Sequence, residues 1–207
     1  LAGFCRYSGL AQLVGGPPPD PDHPENETVP LCVHRQATFL DAKPILDLVA
    51  RHIEDASSET EFQEDIRTCV TETIQNVVDH AASPVGGISC ARFKKGRVAV
   101  AVADLGVGIA VSLRRRFPDI ADELDAMGRI ARAEGGRGLT ALSRESNAGL
   151  GLHWLRTIVE RRRGSLFLMS GNAFASVTSG GSGWSIERMT PRFGGTAVFF
   201  SLPAHES

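Results

Sequence analysis

Long apolar runs, an excess of basic residues and paired cysteines are all missing from this 207-residue chain, and each absence removes a class of protein. No stretch approaches the ~20 apolar residues that a membrane-spanning helix needs. With 22 Lys and Arg against 24 Asp and Glu, the formal net charge is -2. A nucleic-acid partner held by bulk positive charge is therefore not expected. Cys5, Cys32, Cys69 and Cys90 form no Cys-x-x-Cys pair. A zinc ribbon is thus not expected, and free thiols in a reducing cytoplasm are. The six histidines show no His-Glu-x-x-His spacing for a metal. No internal repeat is visible. The opening "LAGFCRYSGLAQLV" lacks both the basic region and the cleavage pattern of a signal peptide. It also lacks an initiator Met, so the chain reads as a piece of a longer one.

What is present fits one domain with a short leader. Residues 15–30, "GGPPPDPDHPENETVP", are rich in Pro, Gly and acid and read as a linker unable to form a core. Residues 1–30 are accordingly set apart from a main domain over 31–204. "LCVHRQATF" alternates as a strand does, and "DAKPILDLVARHIEDA" has helical spacing behind Asp41 as its N-cap. "SSETEFQEDIRTCVTETIQNVVDHA" reads as a second, longer helix with acids in its first turn. "GGISCARFKKGRVAVAVAD" predicts a hairpin turning at Lys94-Lys95-Gly96. An amphipathic helix is expected over 119–133, and "LGLHWLRTIVERRRG" forms another that Gly164 stops. "SLFLMSG" and "GGTAVFFSLP" are strands, with residues between them read as a strand-and-loop excursion. The order predicts an α/β (α+β two-layer) fold, with helices on one face of a mixed, mostly antiparallel sheet.

Three stretches could carry chemistry. In "ETIQNVVDH", Glu72, Asn76 and His80 recur at four-residue steps and share one helical stripe. That stripe is either the solvated face of an amphipathic helix or a set of oxygen donors for a hard cation, with Glu72 able to accept a proton. "DLGVGI" places Asp104, an acceptor-only anion, at a strand end, with Gly106 and Gly108 beside it. It is either a turn needing positive φ or a loop on which a flat ring lies against the backbone. The phosphate-loop pattern Gly-x4-Gly-Lys-Ser/Thr is absent, and so is the third glycine of a dinucleotide-binding loop. "NAGLGLHWL" sets glycines just before a helix, either as an ordinary glycine-containing helix start or as a place where free backbone N–H groups and the helix dipole suit phosphate.

Taken with "GGT", these stretches occur in the order and spacing of the N, G1, G2 and G3 boxes, and over residues 31–203 the chain resembles the GHKL superfamily. That superfamily has the Bergerat ATP-binding fold and includes gyrase-type topoisomerases, heat-shock chaperones, sensor histidine kinases, mismatch-repair ATPases and anti-sigma serine kinases. The resemblance implies ATP and Mg²⁺ as ligands. It makes Asn76 the Mg²⁺-binding amide and Glu72 the catalytic carboxylate. Asp104, assisted by Thr196, becomes the acceptor for the adenine amino group. Gly106, Gly108 and Ile109 lie under the base, His80 lies beside the nucleotide, and Gly149, Leu150, Gly151 and Leu152 surround the triphosphate. Residues 110–148 stand where the ATP lid does. Two positions depart from the pattern: Asp79 stands where histidine kinases carry Lys or Arg, and Leu105 where Asn is common. Arg137 and Arg144 are the candidates to supply the missing cation.

Within the superfamily, neither His23, His34 nor His52 sits in a phosphoacceptor context, and the chain ends at "SLPAHES" without a transducer domain. The layout is closest to the anti-sigma serine kinases and related stand-alone bacterial regulatory ATPases. The expectation is a cytoplasmic signalling kinase that passes the γ-phosphoryl to a partner protein, with an ATP-driven switch of little chemistry as the alternative. The expected partners are ATP and a regulatory protein, the STAS type among the candidates; a homodimer is also admitted. The triplet Arg161 to Arg163 is read as structural, at a helix C-terminus. Arg114 to Arg116 face either solvent or phosphate, and Trp154 and Trp184 are read as packing residues.

Overall fold

The computed structural model describes residues 28–34, 39–52, 56–133, 150–178, 181 and 183–204. Among these residues five strands and five helices make two layers: β1 (Thr28–His34), α1 (Phe39–Ala50), α2 (Ala56–Asn76), β2 (Gly87–Lys94), β3 (Arg97–Asp104), α3 (Ile109–Arg114), α4 (Glu123–Ala133), α5 (Leu150–Arg161), β4 (Ser165–Thr178) and β5 (Ser185–Pro203). The strands lie in the order β1-β2-β3-β5-β4, and every pairing among them is antiparallel, where the sequence allowed a mixed sheet. Alternation decides the inner face. Val98, Val100 and Val102 of β3 join Val198, Phe200 and Leu202 of β5 against Ile45, Leu48, Phe62, Ile66 and Val159 of the helices. No helix among the described residues is long and apolar enough to cross a membrane.

Several boundaries differ from the sequence reading, each for a local reason. β1 begins at Thr28, so the last residues of the Pro-rich stretch are strand, with Val29 buried against the core. α1 starts at Phe39, ahead of Asp41, and carries Pro44 within it. The β2–β3 hairpin turns on Lys95 and Gly96, both at positive φ (52° and 67°), as two-residue turns require. The expected excursion between the last two strands is their own continuation. β4 and β5 pair out to Ser176 and Ser185, with the ladder broken only around Gly171, whose φ is 54°. Residues 110–133, the described part of the expected lid, hold most of α3 and all of α4 and bury Ile120, Ala126 and Met127. Cys32, Cys69 and Cys90 form no disulfide among the described residues, and burial pushes the Cys69 thiol far up.

The arginine triplet at the end of α5 does more than meet a dipole. Arg161 and Arg162 both reach Asp65 on α2, and Arg161 also pairs with Glu61 at 2.8 Å. Asp65 and Arg162 are buried, so this clamp ties α2 to α5 inside the fold. Asp65→Asn weakens charge-assisted hydrogen bonds and should cost about 2 kcal/mol of stability, read as a lowered midpoint in urea. Of the other triplet, Arg114 is used internally: its guanidinium donates to the carbonyls of Ile120, at 2.8 Å, and Ala121. Trp154, read as a packing residue, is half exposed on α5, while Trp184 packs against the core.

Candidate functional site

The site forms where three chain segments meet at one end of the sheet. α2 does not stop at Asn76; it continues as a π-helical turn, Val77–Ala81, and ends on Ala82 at φ 48°. Such turns insert an extra residue and occur often at functional sites. Glu72 and Asn76 precede it and keep the α-helical stripe. His80 lies within it, at a different period from the two residues it was expected to follow. Ala81, the last residue of the turn, meets the loop after β3: its carbonyl accepts the N–H of Val107 at 2.8 Å. A Cβ at Gly106 would stand 2.0 Å from that same oxygen, so no other residue allows this approach.

Asp104 ends β3 at 2% exposure. Its Oδ1 accepts the N–H of Gly106 at 2.7 Å and of Thr196 at 3.3 Å. Burial raises its pKa, and those two N–H groups pull it back toward the ionised form. Both bonds fall on one oxygen, which leaves Oδ2 as an acceptor that no donor among the described residues occupies. Thr196 reaches this point because β5, paired antiparallel with β3, passes the end of that strand at Gly195, whose φ of 101° suits only glycine and whose Cβ would lie 2.2 Å from the Asp104 carbonyl. Gly108, at φ 79°, precedes Ile109, the first residue of α3.

The start of α5 closes the other side. A Cβ on Gly151 would stand 2.6 Å from Glu72 Oε2 and 3.1 Å from Asn76 Nδ2, so the glycine lets the helix start lie directly on this pair. Burial raises the pKa of Glu72. Leu150 opens α5 and Leu152 is partly buried against the core. Asp79 is exposed and accepts a hydrogen bond from Gln75 at 2.7 Å. Gly149, Arg137 and Arg144 lie outside the described residues.

The structure therefore brings Glu72, Asn76 and Gly151 together, and separately Asp104, Gly106 and Thr196. Three contributors escaped the sequence reading. Gly195 was legible as part of "GGT" but was given no role. Buried Glu123 and Ser170 lie behind Gly108, and no local pattern marks them. As a donor set, one amide and one carboxylate suit a hard cation that takes its remaining oxygens from phosphate and water. Among the described residues no three His, Cys, Asp or Glu side chains gather into a metal site of their own. The sequence model of one protein family, described as Histidine kinase-, DNA gyrase B-, and HSP90-like ATPase, matches residues 62–206, from α2 to beyond β5. No curated protein gives a significant match.

Proposed function

The chain belongs to that family and is an ATP-binding, histidine kinase-like ATPase domain, and on this premise we propose that it is a signalling kinase whose phosphoacceptor lies on another protein. The single observation behind this reading is the contact of Gly151 with Glu72 and Asn76, which sets a candidate base and a candidate metal ligand at a helix start suited to phosphate. Mg-ATP supplies the γ-phosphoryl group. Asp104 Oδ2 takes the adenine amino group, with Gly106, Gly108 and Ile109 beneath the ring and Thr196 and His80 beside it. Asn76 holds Mg²⁺. Glu72, whose raised pKa brings it nearer to that of a working base, accepts the proton of a Ser, Thr or His on the partner. Gly149 to Leu152 and the cations Arg137 and Arg144 meet the phosphates. A regulatory protein of the STAS type is one candidate partner; cytoplasmic, bacterial signalling is the setting this reading implies, and a homodimer is compatible with it.

Incubation with γ-labelled ATP and the proteins co-expressed with this chain tests the proposal. Label on one of them supports a kinase. Tight ATP binding with no label on any of them favours the ATP-driven switch. Asn76→Ala is expected to weaken binding of Mg-ATP more than that of metal-free ATP; equal losses in calorimetry with and without Mg²⁺ would leave Asn76 a helix-face residue only.

Glu72→Gln should abolish transfer while sparing ATP affinity. It also carries a pH signature. A carboxyl whose folded pKa is raised destabilises the fold on ionising, so wild-type stability falls as pH rises through that value. Glutamine has no charge to lose. The melting temperatures of the two proteins should agree at low pH and separate at neutral pH, with Gln slightly the more stable. A Gln variant that is less stable at neutral pH would contradict the burial of Glu72.

A further inference from the structure

Behind the Asp104 loop lies a carboxylate to which the proposed function gives no role. Glu123, the first residue of α4, is 5% exposed. Its Oε2 accepts the N–H of Ala110 at 3.0 Å and the hydroxyl of Ser170 at 3.0 Å. The Ser170 oxygen in turn accepts the N–H of Ile109 at 2.9 Å. Glu123 and Ser170 thus hold the two N–H groups that directly follow Gly108. The fit is tight on both sides. A Cβ on Gly108 would stand 2.9 Å from Glu123 Oε1 and 3.0 Å from Ser170 Oγ, and one on Gly171 would stand 2.5 Å from Glu123 Cγ. A buried carboxylate is costly unless fixed donors compensate it, and here those donors are the Ala110 N–H, two residues past Gly108, and the Ser170 hydroxyl.

The same serine reaches Asp104 from the other direction. Ser170 on β4 is the register partner of Thr196 on β5, and the Thr196 N–H donates to Asp104 Oδ1. We propose that Glu123, relayed by Ser170, is a positioning residue for base recognition: it fixes the Gly106–Gly108 backbone and the Asp104 carboxylate relative to each other, so that Oδ2 meets an exocyclic amine. The proposal rests on the adenine reading of Asp104. Its consequence is selectivity as well as fold. A loop held from behind distinguishes a base that donates at this point from one that does not; a loosened loop binds both alike.

ATP and ITP make the comparison, since ITP carries a carbonyl oxygen where ATP carries the amino group, and so presents an acceptor to Asp104 Oδ2 where ATP presents a donor. Calorimetric affinities should favour ATP by about ten-fold or more in the wild type. In Glu123→Ala the preference should fall to about three-fold or less, through weaker ATP binding. Glu123→Gln should keep most of it, because an amide oxygen can accept from both Ala110 and Ser170. Ser170→Ala should shift the ratio in the direction of Glu123→Ala, and it decides the matter if Glu123→Ala does not fold. Asp65→Asn, destabilised at a site remote from the loop, should keep the wild-type ratio. A wild-type ratio in Glu123→Ala and Ser170→Ala, together with its loss in Asp104→Asn, would make Glu123 a structural cap and overturn the proposal. No ATP preference in the wild type, or one that survives Asp104→Asn, would remove the adenine reading and this inference with it.

Discussion

Asp104→Asn is expected to leave the domain folded and to weaken ATP binding roughly ten- to hundred-fold, the equivalent of losing one charge-assisted hydrogen bond. The substitution is unusually clean here. The two N–H groups that hold the side chain, from Gly106 and Thr196, both end on Oδ1. An asparagine keeps that oxygen and both bonds. What changes is the other atom, from a free acceptor to an amino donor that opposes the adenine amine. Stability should not suffer, because burial already disfavours the charged carboxylate. Calorimetry checks the affinity and thermal melting checks the fold. Wild-type affinity in a folded Asp104→Asn protein would sink the assignment of Asp104 to adenine.

Gly106→Ala should be more damaging and less selective. The new methyl carbon would stand 2.0 Å from the Ala81 carbonyl oxygen and 2.6 Å from its carbon, both backbone atoms that cannot swing aside. Either the loop lifts or the π-helical turn of α2 shifts. In both cases the 2.8 Å bond from the Val107 N–H to Ala81 is lost. Overpacking plus one lost hydrogen bond amounts to about 3 kcal/mol of stability. Because the turn follows directly from Asn76, displacement reaches the phosphate side as well as the base side. ATP affinity should fall at least ten-fold in whatever fraction remains folded. A urea midpoint unchanged from wild type would show that the loop does not touch α2 as described.

How much of this was legible in the sequence depends on the range of the interaction. The α2 stripe, the β2–β3 hairpin and the strand ending at Asp104 rest on periodicity and turn chemistry within a few residues, and the chain displays both openly. Alternation sets the inner faces of β3 and β5, with Val98, Val100 and Val102 of one and Val198, Phe200 and Leu202 of the other buried. The length of β4 and β5 was not legible, because the serines and glycines near their connected ends look like loop while the pairing of Ser176 with Ser185 carries β4 to Thr178 and starts β5 at Ser185. Tertiary pairing overrides local preference there. Likewise Val29 is strand because β2 pairs with it. The extra residue at Val77–Ala81 leaves no mark in the pattern, yet it determines where Gly106 meets the helix. Glu123 and Ser170, 47 residues apart, could be joined only by folding the chain.

If adenine nucleotide sits between the Asp104 loop and the start of α5, the amide chemical shifts of isotope-labelled protein report it residue by residue. On titration with ATP, the largest changes should fall on Gly106, Gly108, Ile109, Gly151 and Thr196, with small changes along the β2–β3 turn at Lys95 and Gly96. In Asp104→Asn the same residues should respond only at far higher ATP. If ATP at saturating concentration instead shifts residues elsewhere in the fold, or leaves Gly106 and Gly151 unmoved, the nucleotide site is not where these residues meet.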